Sequence, residues 1–231
     1  MTYNLSFRTQ NLETNCSVIQ QADPDILLVQ ELTPHWSEKL QASIGANYPY
    51  QEKIVFERAR GLGIYSKFRI GDSKVFRNAE NKPYAQTVEL YISDKIFQLI
   101  NVHLASPNKA LKSFTQFIPR YYKNHQTRKA QLKTLKDYAE EEAPKFDCQF
   151  WVGDFNTMKY DPLFKRLRTH WLNTFDEVGT GRGLTFPNSS RLWPLITIDY
   201  ILARGKAQCL ESKVLSGGDS DHLAIMTKMK I

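Results

Sequence analysis

Seven short apolar runs, rich in β-branched and aromatic residues, recur along the chain at 26–29, 63–65, 86–92, 96–102, 148–152, 196–202 and 223–229. Runs of this length between turn residues read as strands. Gln86-Thr87-Val88-Glu89-Leu90-Tyr91-Ile92 alternates polar and apolar side chains, as a half-buried strand does. Helical spacing is rarer. It predicts helices over 13–21, over 34–44 with Thr33 as N-cap, over 127–143, and over 161–167 with Pro162 at the first helical position. The helices fall between pairs of strands in two separate halves, and neither GxGxxG nor GxxxxGK[ST] occurs. An α+β or α/β sandwich fits this order better than a doubly wound dinucleotide fold. No repeat, low-complexity tract or Pro/Gly-rich linker divides the 231 residues, so one domain over 1–231 is expected.

Polar groups stand at the ends of these runs. Asp25-Ile26-Leu27-Leu28-Val29-Gln30-Glu31 presents Glu31, which alone reads as a solvated strand terminus. Leu99-Ile100-Asn101-Val102-His103 presents a histidine, a residue more often packed and hydrogen-bonded than catalytic. In Val152-Gly153-Asp154-Phe155-Asn156, Gly153 permits a bend, and Asp154 and Asn156 can bind a hard cation and orient a phosphate oxygen. An Asx-rich turn is the competing reading of that segment. Asp199 lies within the 196–202 run, where a carboxylate is costly unless paired, so a partner such as a histidine is expected. Asn4 is an amide in a strand-like start, and Ser220-Asp221-His222 sets a carboxylate beside an imidazole. Together these groups are the inventory for metal-assisted attack of water on a phosphoester.

The ordered set resembles the endonuclease/exonuclease/phosphatase superfamily, the DNase I-like fold, over nearly the whole chain. The likeness is carried by Thr2-Tyr3-Asn4, Leu28-Val29-Gln30-Glu31, Gly61-Leu62-Gly63-Ile64-Tyr65-Ser66-Lys67, Asn101-Val102-His103, Gly153-Asp154-Phe155-Asn156, Ile198-Asp199-Tyr200-Ile201-Leu202 and Ser220-Asp221-His222. Asp23-Pro24-Asp25, Thr33-Pro34-His35-Trp36 and Tyr48-Pro49-Tyr50 are similar to its compact bacterial branch, and Gly183-Leu184-Thr185-Phe186-Pro187 to that branch's site-flanking loop. The resemblance implies an α+β fold, a four-layer α/β/β/α sandwich of two mainly antiparallel sheets. It implies Glu31 as the main Mg²⁺ ligand, with Asn4 and Asp221 close to the metal and Mn²⁺ as a substitute. His222 becomes the general base, oriented by Asp199. Asp154 and Asn156 position nucleophile and phosphate, and His103 contacts a phosphate oxygen or assists the leaving group.

Substrate is less constrained, because one fold serves many phosphoesters. The chain carries a net charge of +7, yet 95–136 holds no Asp or Glu and nine Lys and Arg residues, so the remainder nets −2. Such an excess suits a polyanion. Within it, Lys112, Arg120, Tyr121, Lys123 and Arg128 are candidate substrate contacts. The same stretch also reads as an amphipathic helix with solvated charges, or as aromatics dipping into an anionic membrane surface. A DNA nuclease leads, with a phosphatase or phosphodiesterase of phospholipid or prenyl-phosphate head groups as the alternative. Three scattered cysteines suggest free thiols rather than a disulfide framework. No signal peptide or membrane span is evident, so a cytoplasmic monomer is expected, and an earlier N-terminal anchor stays open.

Overall fold

The structure, a computed structural model, describes residues 1–106, 114–188 and 194–231, with the backbone alone over 114–123. Strands β1 (Thr2–Asn4), β2 (Ile26–Gln30), β3 (Tyr50–Ile54), β4 (Leu62–Ser66), β11 (Gln208–Leu215) and β12 (Ala224–Lys230) form one sheet in the order β11-β12-β1-β2-β4-β3. Strands β5 (Arg69–Arg77), β6 (Pro83–Ile92), β7 (Lys95–His103), β8 (Cys148–Asp154), β9 (Leu172–Asn173) and β10 (Asp199–Gly205) form the other in the order β5-β6-β7-β8-β10-β9. Each sheet holds one parallel pair, β1 with β2 and β7 with β8, and the remaining pairs are antiparallel. The first sheet takes its strands from both ends of the chain, and the second from its middle.

Strand alternation divides the apolar side chains into three layers. Leu28, Ile64, Val88, Leu99, Phe150, Val152 and Ile201 meet between the sheets. On the outer face of the first sheet, Tyr3, Leu27 and Val29 pack under α1 (Leu12–Ala22) and α2 (Pro34–Ile44), which contribute Cys16, Ile19, Trp36 and Leu40. On the outer face of the second, Ile100, Val102, Trp151 and Leu202 pack under α3 (Phe114–Glu142) and α4 (Pro162–Leu167). This is the four-layer α/β/β/α sandwich. Helix starts follow local chemistry: Thr33 accepts from Trp36 N at 3.2 Å, and Asp161 accepts from Leu163 N at 2.8 Å before Pro162.

Three expectations shift. The helix expected from 127 begins at Phe114 and runs to Glu142. The run 196–202 becomes a strand only at Asp199, because Ile196 bonds instead to the loop before it: Thr185 N and Phe186 N both donate to Ile196 O at 3.0 Å. Strands β3, β5 and β11 are too polar to show as apolar runs. Among the described residues no helix is long and apolar enough to cross a membrane.

Candidate active site

The inner faces of the two sheets end together at one edge, and the sequence-predicted polar groups meet there. Strand alternation sets His103, Asp154 and Asp199 on the inner face. Register sets them side by side, His103 opposite Asp154 and Asp154 opposite Asp199. From the other sheet come Asn4 and, directly after β2, Glu31. Asn4 spans the gap: its Nδ2 donates to Asp154 Oδ2 at 3.1 Å. A second polar bracket lies one layer deeper, where Gln30 Nε2 donates to Asn101 Oδ1 at 2.7 Å and Asn101 Nδ2 donates to Val29 O and Gly63 O at 3.0 Å. Being buried and reciprocally bonded, these amides fix the separation of the sheets beneath the site.

His222 arrives on the turn before β12. Its Nδ1 lies 2.9 and 3.1 Å from the two oxygens of Asp199, and its Nε2 lies 3.9 Å from Asp154 Oδ2. The Asp199 contact assigns the ring proton to Nδ1 and leaves Nε2 as the basic nitrogen. Ser220 ties this turn to Asn4, its Oγ donating to Asn4 O at 2.6 Å and accepting from His222 N at 3.1 Å. Thr185, fully buried, accepts from Ile198 N at 3.3 Å and Asp199 N at 3.4 Å, while Phe186 stacks on His222 with centroids 4.9 Å apart. Neither residue was singled out by chemistry in the sequence, although their loop was.

Backbone conformation aims the remaining groups. Gly153 has φ 135°, and a Cβ there would lie 2.2 Å from Val102 O, so β8 can bend into the site only with glycine. Glu31 (φ 63°) and Asn156 (φ 48°) are left-handed, a conformation that costs a non-glycine residue about 1 kcal/mol or more. Local bonds hold them there. Glu31 Oε2 accepts from Phe7 N at 2.8 Å. Asn156 donates to both oxygens of Asp154, from N at 2.8 Å and from Nδ2 at 3.0 Å.

Burial dominates the electrostatics. It raises the Glu31 carboxyl, and with Asp199 nearby it raises Asp154 to about 7. Burial and the Arg60 charge hold His103 well below 6.5, hence neutral. Its Nε2 faces Asp154 at 3.5 Å and Glu31 at 3.8 Å, whereas its buried Nδ1 has no hydrogen-bond partner, so the proton sits on Nε2. Burial would lower His222 too, but Asp199 and then Asp154 outweigh it and raise the imidazole to about 10. In the absence of a cation, His222 is the counter-ion of the acidic cluster.

A pH dependence follows. Both shifts are upward, so at these two groups the folded protein binds more protons than the unfolded one, an effect that the lowered His103 and Met1 amino group oppose only in part. The Asp154 contribution to stability is lost as pH rises from 3.8 towards about 7, and that of His222 as pH rises from 6.5 towards about 10. Chelator-treated protein should therefore melt at a lower temperature at about pH 9 than at about pH 6. Melting curves in EDTA across that range check this, and an unchanged or rising midpoint contradicts it.

Asp154, Asp199 and His222 offer three ligand atoms within 4.8 Å of one another. Both Asp199 oxygens face His222, and both Asp154 oxygens accept from Asn156, with Asn4 donating to Oδ2 as well; Glu31 and the neighbouring Asn4 stand beside this cluster. This oxygen-rich set suits a hard divalent ion. Asp221 is half-buried and close enough to raise both Glu31 and His222, and its backbone oxygen accepts from Asn188 N at 2.7 Å. Arg128 is 1% exposed and donates to Ala105 O at 3.0 Å, bracing the segment that follows His103. Lys112 and the side chains of Arg120, Tyr121 and Lys123 lie outside the described residues.

The model of the Endonuclease/Exonuclease/phosphatase family matches residues 1–222. No curated protein matches the chain. Several solved structures share the fold. D. rerio TDP2 complexed with single strand DNA product is 18% identical with a TM-score of 0.76, covering 100% of this chain and 97% of that one. An endonuclease/exonuclease/phosphatase from Bacteroides vulgatus is 15% identical at a TM-score of 0.76, covering 100% and 97%. Beta toxin 275-280 from Staphylococcus aureus is 15% identical at 0.74, covering 99% and 98%. At these identities the likeness speaks to the fold.

Proposed function

The chain belongs to the endonuclease/exonuclease/phosphatase family, a family of phosphoesterases, and on that premise we propose that it hydrolyses phosphodiesters with a divalent cation, DNA being the leading substrate. The observation that carries the reading is the Asp199–His222 pair, with Nε2 directed towards Asp154 across the edge between the sheets. Glu31 and Asp154, with Asn4 beside them, would hold Mg²⁺ or Mn²⁺, which supplies neutralisation of phosphoryl-oxygen charge.

The chain's own residues account for the proton transfers. Neutral His222 takes a proton from water on Nε2 as the water oxygen attacks phosphorus and the ester P–O bond opposite it breaks; the leaving oxygen takes its proton from solvent, and the Nδ1 proton stays on the ring, bonded to Asp199. Asp154, held by Asn4 and Asn156, orients the attacking water. His103 donates from Nε2 to a phosphate oxygen, and being neutral it adds no charge to desolvate. A His222 raised to about 10 is a poor base, so turnover requires the surrounding negative charge to be offset first. This couples catalysis to cation binding.

Nucleic acid as substrate is supported by the basic composition of 95–136 and by the single strand DNA product in the TDP2 relative. Met158 (47% exposed) and Tyr160 (76%), close after Asn156, favour the second reading, in which the rim meets a lipid phosphate. Supercoiled plasmid with Mg²⁺ or Mn²⁺ should be nicked, and the rate at limiting enzyme should fall steeply as salt rises, as phosphate contacts require. Absence of cleavage with either ion, together with phosphate release from a phospholipid, reverses the order of the two readings.

A further inference from the structure

Arg60 is the cation at this site to which no role has been given. It lies in the turn between β3 and β4, ahead of Gly61, and that glycine locks its position. Leu32 N donates to Gly61 O at 3.2 Å, and a Cβ on Gly61 would lie 1.9 Å from Leu32 O, so the start of β4 is pressed against the residue that follows Glu31. The antiparallel register of β2 with β4 ends at Gln30 opposite Leu62, and Arg60 immediately precedes the glycine held against Leu32. The guanidinium therefore stands on the Glu31 side of the site. Its field reaches groups on both sheets: Glu31 on one, Asp154 and His103 on the other.

Despite this acidic surrounding, the half-buried Arg60 side chain makes no hydrogen bond or ion pair among the described residues. His222 behaves differently, contacting Asp199 directly. An arginine whose field reaches Glu31, Glu80 and Asp154, yet which pairs with none of them, has its planar donor fork available to a ligand at that edge. Phosphate is the ligand whose geometry that fork matches.

We propose that Arg60 is a substrate-binding residue whose guanidinium grips a non-bridging oxygen of the substrate phosphate from the Glu31 side. The assignment rests on reading the site as a phosphoester hydrolase. It gives the phosphate two flanks, Arg60 on the side of the first sheet and His103 on the side of the second. Loss of a contact formed equally in ground and transition states raises KM and leaves kcat in place.

The test uses inorganic phosphate as probe, titrated by calorimetry against wild type, Arg60→Lys and Arg60→Ala, in EDTA and again with Mg²⁺. The expected result is saturable binding by wild type, weakened about tenfold or more in Arg60→Ala, in both buffers. Arg60→Lys, which restores the charge without the fork, should recover part of the affinity. Equal affinity in wild type and Arg60→Ala, or no saturable phosphate binding by wild type in either buffer, overturns the proposal. So does loss of affinity in both variants with a lowered melting temperature, which marks a structural role. Turnover is measured separately: a wild type that binds phosphate through Arg60 but cleaves no phosphoester would remove the hydrolase reading and keep this one.

Discussion

His222→Ala should lower turnover by about 10³–10⁴-fold while leaving a folded protein. The size follows from what the imidazole does alone. Nε2 of His222 is the one basic nitrogen at the site, since His103 carries its proton on the nitrogen that faces Asp154 and Glu31. Folding should survive because His222 lies on a turn whose other bonds remain, such as Leu223 N to Thr185 O at 2.8 Å and Asn188 N to Asp221 O at 2.7 Å. The variant also leaves Asp199 buried without its partner, a cost of about 3–5 kcal/mol for a buried charge, so a clear fall in melting temperature belongs to the expected result. Steady-state kinetics on nicked plasmid, with circular dichroism as control, reads both. Turnover near that of wild type would remove His222 from the mechanism.

Asp199→Asn should be nearly as damaging to activity, about 10³-fold or more, through the tautomer. Both Asp199 oxygens face Nδ1, and its backbone N donates to Thr185 Oγ1 at 3.4 Å. An asparagine amide can turn its NH₂ towards Nδ1, which moves the ring proton to Nε2 and blocks the base. The same change removes the charge that holds the imidazole at about 10, after which burial pulls it back down. Ring titration by NMR in EDTA should follow that fall. An imidazole that still titrates near 10 would show that Asp199 does not control it.

Much of this site is written in the sequence because of where it lies. Strands in the middle of each sheet are buried on both faces, so they appear as apolar runs, and the polar residue that ends such a run stands out. Glu31, His103, Asp154 and Asp199 were legible for that reason. The edges were not. Strands β3, β5, β9 and β11 are the four outermost strands, and sequences such as Tyr-Gln-Glu-Lys-Ile at 50–54 serve solvent on one side. Arg60 follows from the same blindness: it lies between an edge strand and its neighbour, and nothing in its own sequence says that Gly61 is pinned to Leu32. The burial of Arg128 was hidden in the opposite sense, since charge alone could not reveal that its guanidinium donates to Ala105 O inside the fold.

Because the first sheet draws on both ends of the chain, order of synthesis bears on when the enzyme exists. As the polypeptide emerges from the ribosome, β5 to β10 can pair soon after they are made. Strand β1, by contrast, waits with one edge bare until Ile225 arrives opposite Thr2. His222 comes only just before that strand. On the proposed function, a nascent chain would carry Glu31, Asp154 and Arg60 long before His222, and hydrolysis would switch on only with the closing of this seam.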